Sequence, residues 1–163
     1  METPLKRRQR SRHFDSLEQE VFLNLWRTYD RLRSLEEQLF GRYGLTPQQY
    51  NALRLLRGAR PETLPTLALA ARLVSRAPDI TRLLDKLERR GLVARDRSSE
   101  NRRVVRVGIT SSGLALLRSL EEPVRECHAR QLGHLSPLQL KSLIELLRQA
   151  RAPHEGSKSN WSE

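Results

Sequence analysis

The strongest constraint in this chain is a change of hydrophobic period at Gly91. Before it, Ile80, Leu83, Leu84 and Leu87 stand at i, i+3, i+4 and i+7, the spacing that gathers apolar side chains on one helix face. After it, Leu92-Val93-Ala94-Arg95 reads as a strand, and Val105, Val107 and Ile109 alternate as its return. Between the two runs, Asp96 to Arg103 is a polar loop, too long for a two-residue turn. Ser75 to Thr110 is therefore a short amphipathic helix, a glycine stop and a hairpin with an arginine-bearing tip. Each of these has an apolar face that neighbouring elements must cover.

The flanking sequence supplies helices to do so. From about Phe14 to Tyr43, apolar residues recur in steps of three and four through Leu17, Val21, Leu25, Tyr29, Leu32, Leu35 and Leu39, which predicts one helix of roughly 40 Å. Gly44 sits where a left-handed cap ends such a helix. Thr46-Pro47-Gln48-Gln49 is a capping box that opens a second helix, with Tyr50, Leu53 and Leu56 inward and an end near Gly58. Pro61-Glu62-Thr63 reads as a turn. A third, short helix is expected from Pro65 to Leu73, burying Leu67, Ala70 and Leu73, or Leu69 and Leu73. The fourth is expected to begin near Ala77-Pro78. Thr110 caps a fifth helix whose stripe is Leu117, Leu120, Val124, Cys127 and Gln131, with Pro123 set to kink it. Ser136-Pro137-Leu138-Gln139 opens a sixth on Leu140, Leu143, Ile144 and Leu147. The fold class that follows is mainly α with a small β-hairpin, a helix-turn-helix carrying a wing and surrounded by further helices.

Charge points to the partner. The chain carries 30 Lys+Arg against 19 Asp+Glu, a net +11, which predicts attraction to a polyanion. The excess is localised: Arg72 to Arg106 holds eleven basic and five acidic residues, a net of +6. A merely solvated helix tends to alternate its signs, whereas this stretch is biased, as the footprint of a nucleic-acid reader is. In a reading helix the first two turns face base edges, here Arg76, Ala77, Pro78, Asp79, Thr81 and Arg82. Arginine pairs with both acceptors of guanine, and Asp79 either accepts from cytosine or complements the helix N-terminal dipole. Arg97, Arg102 and Arg103 lie at the hairpin tip, where a guanidinium suits a narrow minor groove. Arg95 and Arg97 are candidate phosphate contacts.

Other chemistries find little footing. One cysteine, Cys127, excludes an internal disulfide framework and suits a reducing cytoplasm. No window approaches the ~18 consecutive apolar residues of a membrane span, and the N-terminus has no apolar core of a signal peptide. Cys127 and His134 share a helix face but stand ~10 Å apart along the axis, too far to hold one metal unaided. With no phosphate loop, paired Cys-x-x-Cys or nucleophile motif, neither an enzyme nor a cofactor or metal site is expected.

These residues resemble the MarR family, the multiple antibiotic resistance regulators. The resemblance rests on Leu69-Ala70-Ala71-Arg72-Leu73, Thr81-Arg82-Leu83-Leu84-Asp85-Lys86-Leu87-Glu88, Arg90-Gly91-Leu92-Val93 with Arg95, Asn101-Arg102-Arg103-Val104, Ile109-Thr110 and Gly113. It implies a homodimer whose terminal helices interlock, each subunit offering one winged helix to half of a palindromic operator. It also implies a ligand-responsive repressor, binding double-stranded DNA by sequence. The alternative is an architectural protein that coats DNA without sequence preference. In the family an aspartate usually precedes the minor-groove arginine by two residues; here these are Asn101 and Arg103. Arg76-Ala77-Pro78 likewise replaces a serine cap. A family ligand cleft would draw on Trp26, Tyr29, Arg33, Tyr43 and Tyr50, while ordinary core aromatics and a surface arginine are the plainer reading of each. The expected organisation is a basic, disordered arm at 1–13, a dimerisation region at 14–44 and 111–151, a DNA-binding region at 45–110 and a disordered tail at 152–163.

Overall fold

The computed structural model describes residues 14–74, 79–97 and 104–155. In chain order these form α1 (Leu17–Gly41), α2 (Pro47–Gly58), β1 (Leu64–Pro65), α3 (Thr66–Arg72), α4 (Ile80–Arg89), β2 (Val93–Arg97), β3 (Val105–Ile109), α5 (Ser111–Leu132) and α6 (Pro137–Arg151), then a 3-10 turn at Ala152–His154. The result is a mainly helical winged fold with a three-stranded antiparallel sheet, ordered β1-β3-β2. The chain divides into two compact units, Met1–Ser34 and Leu35–Glu163, so the boundary falls inside α1.

Two glycines set where helices end. Gly44 and Gly91 have φ of 65° and 66°, the left-handed region that a Cβ disfavours. At the first, Leu45 N–H donates to Phe40 O and Gly44 N–H to Gly41 O. At the second, Leu92 N–H donates to Leu87 O and Gly91 N–H to Glu88 O. Both are Schellman turns, which satisfy carbonyls that a helix end would otherwise leave open. The second aims the chain from α4 directly into the sheet.

The starts are equally explicit. Thr46 and Ser136 close the two capping boxes, on Gln49 and Gln139. Thr110 accepts from Gly113 N–H at 3.1 Å and donates its hydroxyl to Gly91 O at 2.6 Å, joining the first turn of α5 to the end of α4.

The core lies in the second unit, where Leu53, Leu56, Leu69, Leu84, Leu87, Leu120 and Val107 are all sealed from solvent. Each such leucine contributes about 1.5–3 kcal/mol by leaving water. Val107 is central, opposite Leu64 on one side and Arg95 on the other. In the first unit α1 leaves Leu17, Val21, Phe22, Trp26 and Tyr29 exposed.

Several expectations need correction. The segment read as a turn continues into β1, because Leu64 and Pro65 pair with Val107 and Arg106. In α3 the inward set is Leu69 and Leu73, whereas Leu67 is 81% exposed. The strand delays the helix start to Thr66 and so fixes the rotation of that face. The loop of the hairpin is shorter than Asp96 to Arg103, since Asp96 and Arg97 pair with Arg106 and Val105. Ile144 is exposed, and α6 has no buried residue. Helix α4 is described from Ile80, and Ala77-Pro78, near which its start was expected, lie outside the described residues. Asp79 is its N-cap, with non-helical φ −147° and ψ 89°.

Gly113 shows why the helix after the wing needs a residue without a side chain. A Cβ there would collide with Leu92 O and come within 2.7 Å of Ile109 Cγ1. Gly113→Ala is expected to destabilise the fold by about 1–3 kcal/mol, the usual cost of overpacking. Gly58→Ala, where nothing lies within 4 Å, should be neutral or slightly stabilising. Urea unfolding of both variants checks the pair.

Candidate nucleic-acid interface

Helix α4 has two faces. Leu84 and Leu87 are buried, Ile80 and Leu83 are half-buried against the core, and Thr81, Arg82, Lys86 and Arg89 are exposed. Asp79 accepts from Arg82 N–H at 2.9 Å, so its carboxylate caps the helix. That is the dipole-complementing role weighed for it. Arg82 and Lys86, with Asp79, border an open groove whose other wall is Thr46, Gln48 and Gln49 at the start of α2. Those three were absent from the expected site. The capping box that they form was visible in the sequence, but nothing there showed that it faces α4.

The basic residues of this region fall into two sets. Arg95, expected as a phosphate contact, turns inward instead. Its Nε donates to Glu88 Oε2 at 2.9 Å, and its Nη2 bridges Glu88 and Asp85. Its backbone N–H also donates to Glu88 Oε1 at 3.2 Å. The physical reason is register: Arg95 lies on β2 directly beside the inner turns of α4, and its side chain is only 21% exposed. Arg106 is similarly engaged, donating from Nε to Thr63 Oγ1 at 2.8 Å and from Nη2 to Thr63 O. Arg90 donates to Gly44 O at 2.6 Å and Tyr43 O at 2.9 Å. By contrast, Arg82 and Lys86 have no ion pair or side-chain hydrogen bond among the described residues, so their charge stays available to an outside partner.

Of the remaining candidates, Arg76, Ala77, Pro78, Asn101, Arg102 and Arg103 lie outside the described residues. Arg97 is the last residue of β2, and its side chain is also outside that set. Among the aromatic candidates, Trp26, Tyr29 and Arg33 belong to the first unit and Tyr43 and Tyr50 to the second. Trp26 and Tyr29 are exposed, and Trp26 packs against Phe22 at 6.1 Å. Tyr50 stacks on Phe40 at 4.4 Å, and burial pushes its phenol pKa up. Cys127 is buried, and burial raises its thiol pKa too, so it lacks the thiolate character of a redox sensor. Among the described residues no group of three His, Cys, Asp or Glu could hold a metal, and no helix is long and apolar enough to cross a membrane.

The MarR family model matches residues 45–105, which span α2 to the start of β3. The structure of a MarR transcription factor from Planctomyces limnophilus is 57% identical and covers 83% of this chain and 98% of its own, with a TM-score of 0.67. The chain belongs to the MarR family of transcriptional regulators. An uncharacterised HTH-type transcriptional regulator, YkoM of Bacillus subtilis (strain 168), is 30% identical over 142 residues, 84% of this chain and 90% of YkoM. The MarR-family regulator Sco3205 from Streptomyces coelicolor, solved in complex with DNA, shares the fold at a TM-score of 0.78 and 21% identity, over 91% of this chain and 96% of its own.

In this MarR-family chain, the link between α4 and β2 has a pH signature. The hydrogen bonds from Arg95 hold the Glu88 carboxyl below its ordinary value of 4.5. A carboxyl lowered by folding adds stability that is fully present above its unfolded value and is lost as pH falls through the folded one. Thermal stability should therefore drop below about pH 4.5, and Glu88→Gln should reduce that drop while lowering stability at pH 7. Melting curves of both proteins from pH 7 to pH 3 check this; parallel curves would remove the pair from the account.

Proposed function

We propose that this chain is a sequence-specific, double-stranded-DNA-binding transcriptional regulator that represses from a palindromic operator as a homodimer in the cytoplasm. The observation that carries the reading is the sorting of basic residues around α4. Arg90, Arg95 and Arg106 are held by internal oxygens, while Arg82 and Lys86 face outward on the same helix. A helix with two open cations beside its first turns, bonded to β2 through Arg95, fits a major groove and its flanking phosphates. Arg76, Ala77, Pro78, Thr81 and Arg82 would supply base-edge contacts, with Asp79 capping the helix that carries them, and Arg97, Asn101, Arg102 and Arg103 the minor-groove contact of the wing. Sco3205, which shares the fold, binds DNA.

The dimer has separate support. In one unit α1 exposes Phe22, Trp26 and Tyr29, and in the other α6 exposes Leu138, Ile144 and Leu146. Apolar groups of this number on terminal helices mark a protein interface. Residues 14–44 and 111–151 are accordingly proposed as the dimerisation region and 45–110 as the DNA-binding region. A small aromatic ligand, if it regulates binding, would meet Trp26, Tyr29, Arg33, Tyr43 or Tyr50.

Selection of bound duplexes from a random-sequence library tests the whole reading. The expected product is an inverted repeat protected over two half-sites about one turn, ~10 bp, apart. Uniform recovery of unrelated sequences would favour the architectural alternative. On the selected duplex, Arg82→Ala should weaken binding by about 1–3 kcal/mol; an unchanged isotherm would remove Arg82 from the interface.

A further inference from the structure

Arg90 is a basic residue at the reading helix that does not point at a ligand. It is the C-cap of α4, one residue before the Gly91 turn. Its Nη1 donates to Gly44 O at 2.6 Å and its Nη2 to Tyr43 O at 2.9 Å. Two adjacent carbonyls are thus held by the two ends of one planar guanidinium, a fork that fixes direction as well as distance.

The accepting carbonyls belong to the turn that ends α1. Helix α1 has no basic residue in its own last turn, so the partial negative charge there is met by a cation from 46 residues further along the chain. Gly44 lies in the left-handed region at φ 65°, and it is its backbone conformation, not a lack of room for a Cβ, that calls for glycine beside Arg90. The same turn leads through Leu45 into Thr46, the cap of α2 that walls the groove beside Arg82 and Lys86. Helix α4 is therefore bonded to residues 43–44 at its C-terminal end, and its first turns face Thr46, Gln48 and Gln49 across the groove. On its other side Arg90 adjoins Gly91, whose carbonyl accepts from Thr110 at the start of α5.

We infer that Arg90 is a positioning residue for operator recognition, setting the angle between the reading helix and the end of α1 without touching DNA. The inference rests on the DNA-binding reading above. Where two readers must meet two half-sites at a fixed spacing, an error in that angle matters. Where one reader meets one half-site, it does not. A lysine cannot replace the fork, because a single ammonium has no fixed plane.

The test compares Arg90→Gln and Arg90→Lys with the unchanged chain on two probes: the selected inverted-repeat duplex and a duplex carrying one half-site in unrelated sequence. Both variants are expected to lose about tenfold on the inverted repeat, a typical size for coupling between separated contacts. Half-site affinity and the slope of log affinity against log salt should stay unchanged. A slope reduced by about one would make Arg90 a phosphate contact and overturn the proposal. Equal losses on both probes, or full affinity in Arg90→Lys, would overturn it as well. Thermal melting reports folding, and Arg90→Lys, which keeps the charge, decides the matter if Arg90→Gln fails to fold. If the unchanged chain selects no duplex, the DNA-binding reading itself falls, an outcome distinct from the others.

Discussion

The guanidinium of Arg95, laid across Glu88 and Asp85, is the interaction on which the rest of the reading region depends. It joins the middle of α4 to β2 through charge-assisted hydrogen bonds, one of them from the backbone of Arg95 itself. Without it, two carboxylates would stand on the inner side of a helix proposed to approach a polyanion. With it, a residue of the wing hydrogen-bonds both carboxylates and offsets one of their two negative charges, and the outward face keeps the charge of Arg82 and Lys86. The same bonds fix the wing relative to the helix, which a two-stranded ribbon could not do alone. The pairs are partly exposed, so their importance lies in orientation more than in stability.

Around that link the backbone does the remaining positioning. Left-handed glycines end α1 and α4 with the same hydrogen-bond pattern, and two residues separate Gly44 from α2 and one separates Gly91 from β2. Gly113 lets α5 rest directly on the backbone of Leu92. These are places where only a missing side chain allows the contact. They explain why the family pattern carries glycines at Gly91 and Gly113 in terms of geometry.

Much of this was legible from residue order. The change of period at Gly91, the two capping boxes and the Leu84/Leu87 face follow from local rules, because helix caps and apolar spacing act over a few residues. What was not legible depended on long-range pairing. Strand β1 exists only because β3 offers it a partner, and a two-residue strand has no periodicity to detect. The rotation of α3, which exposes Leu67 and buries Leu69, follows from that strand. Arg95 read as a cation for DNA because the sequence places it seven positions after Glu88 but does not show the fold that closes the gap. Asp79, read both ways, proved to be the cap.

The outcome is a division of labour among arginines that composition cannot reveal. A net charge of +11 suggests a polyanion partner, yet several of the arginines nearest the reading helix are structural, and a smaller set is proposed to meet DNA. A structure of the chain bound to a selected inverted-repeat duplex examines this division directly. The expected complex has Arg82 and Lys86 against the duplex, with Arg90, Arg95 and Arg106 still on Tyr43 and Gly44, on Asp85 and Glu88, and on Thr63. DNA seated on another face, or Arg95 drawn away from its carboxylates onto a phosphate, would contradict it.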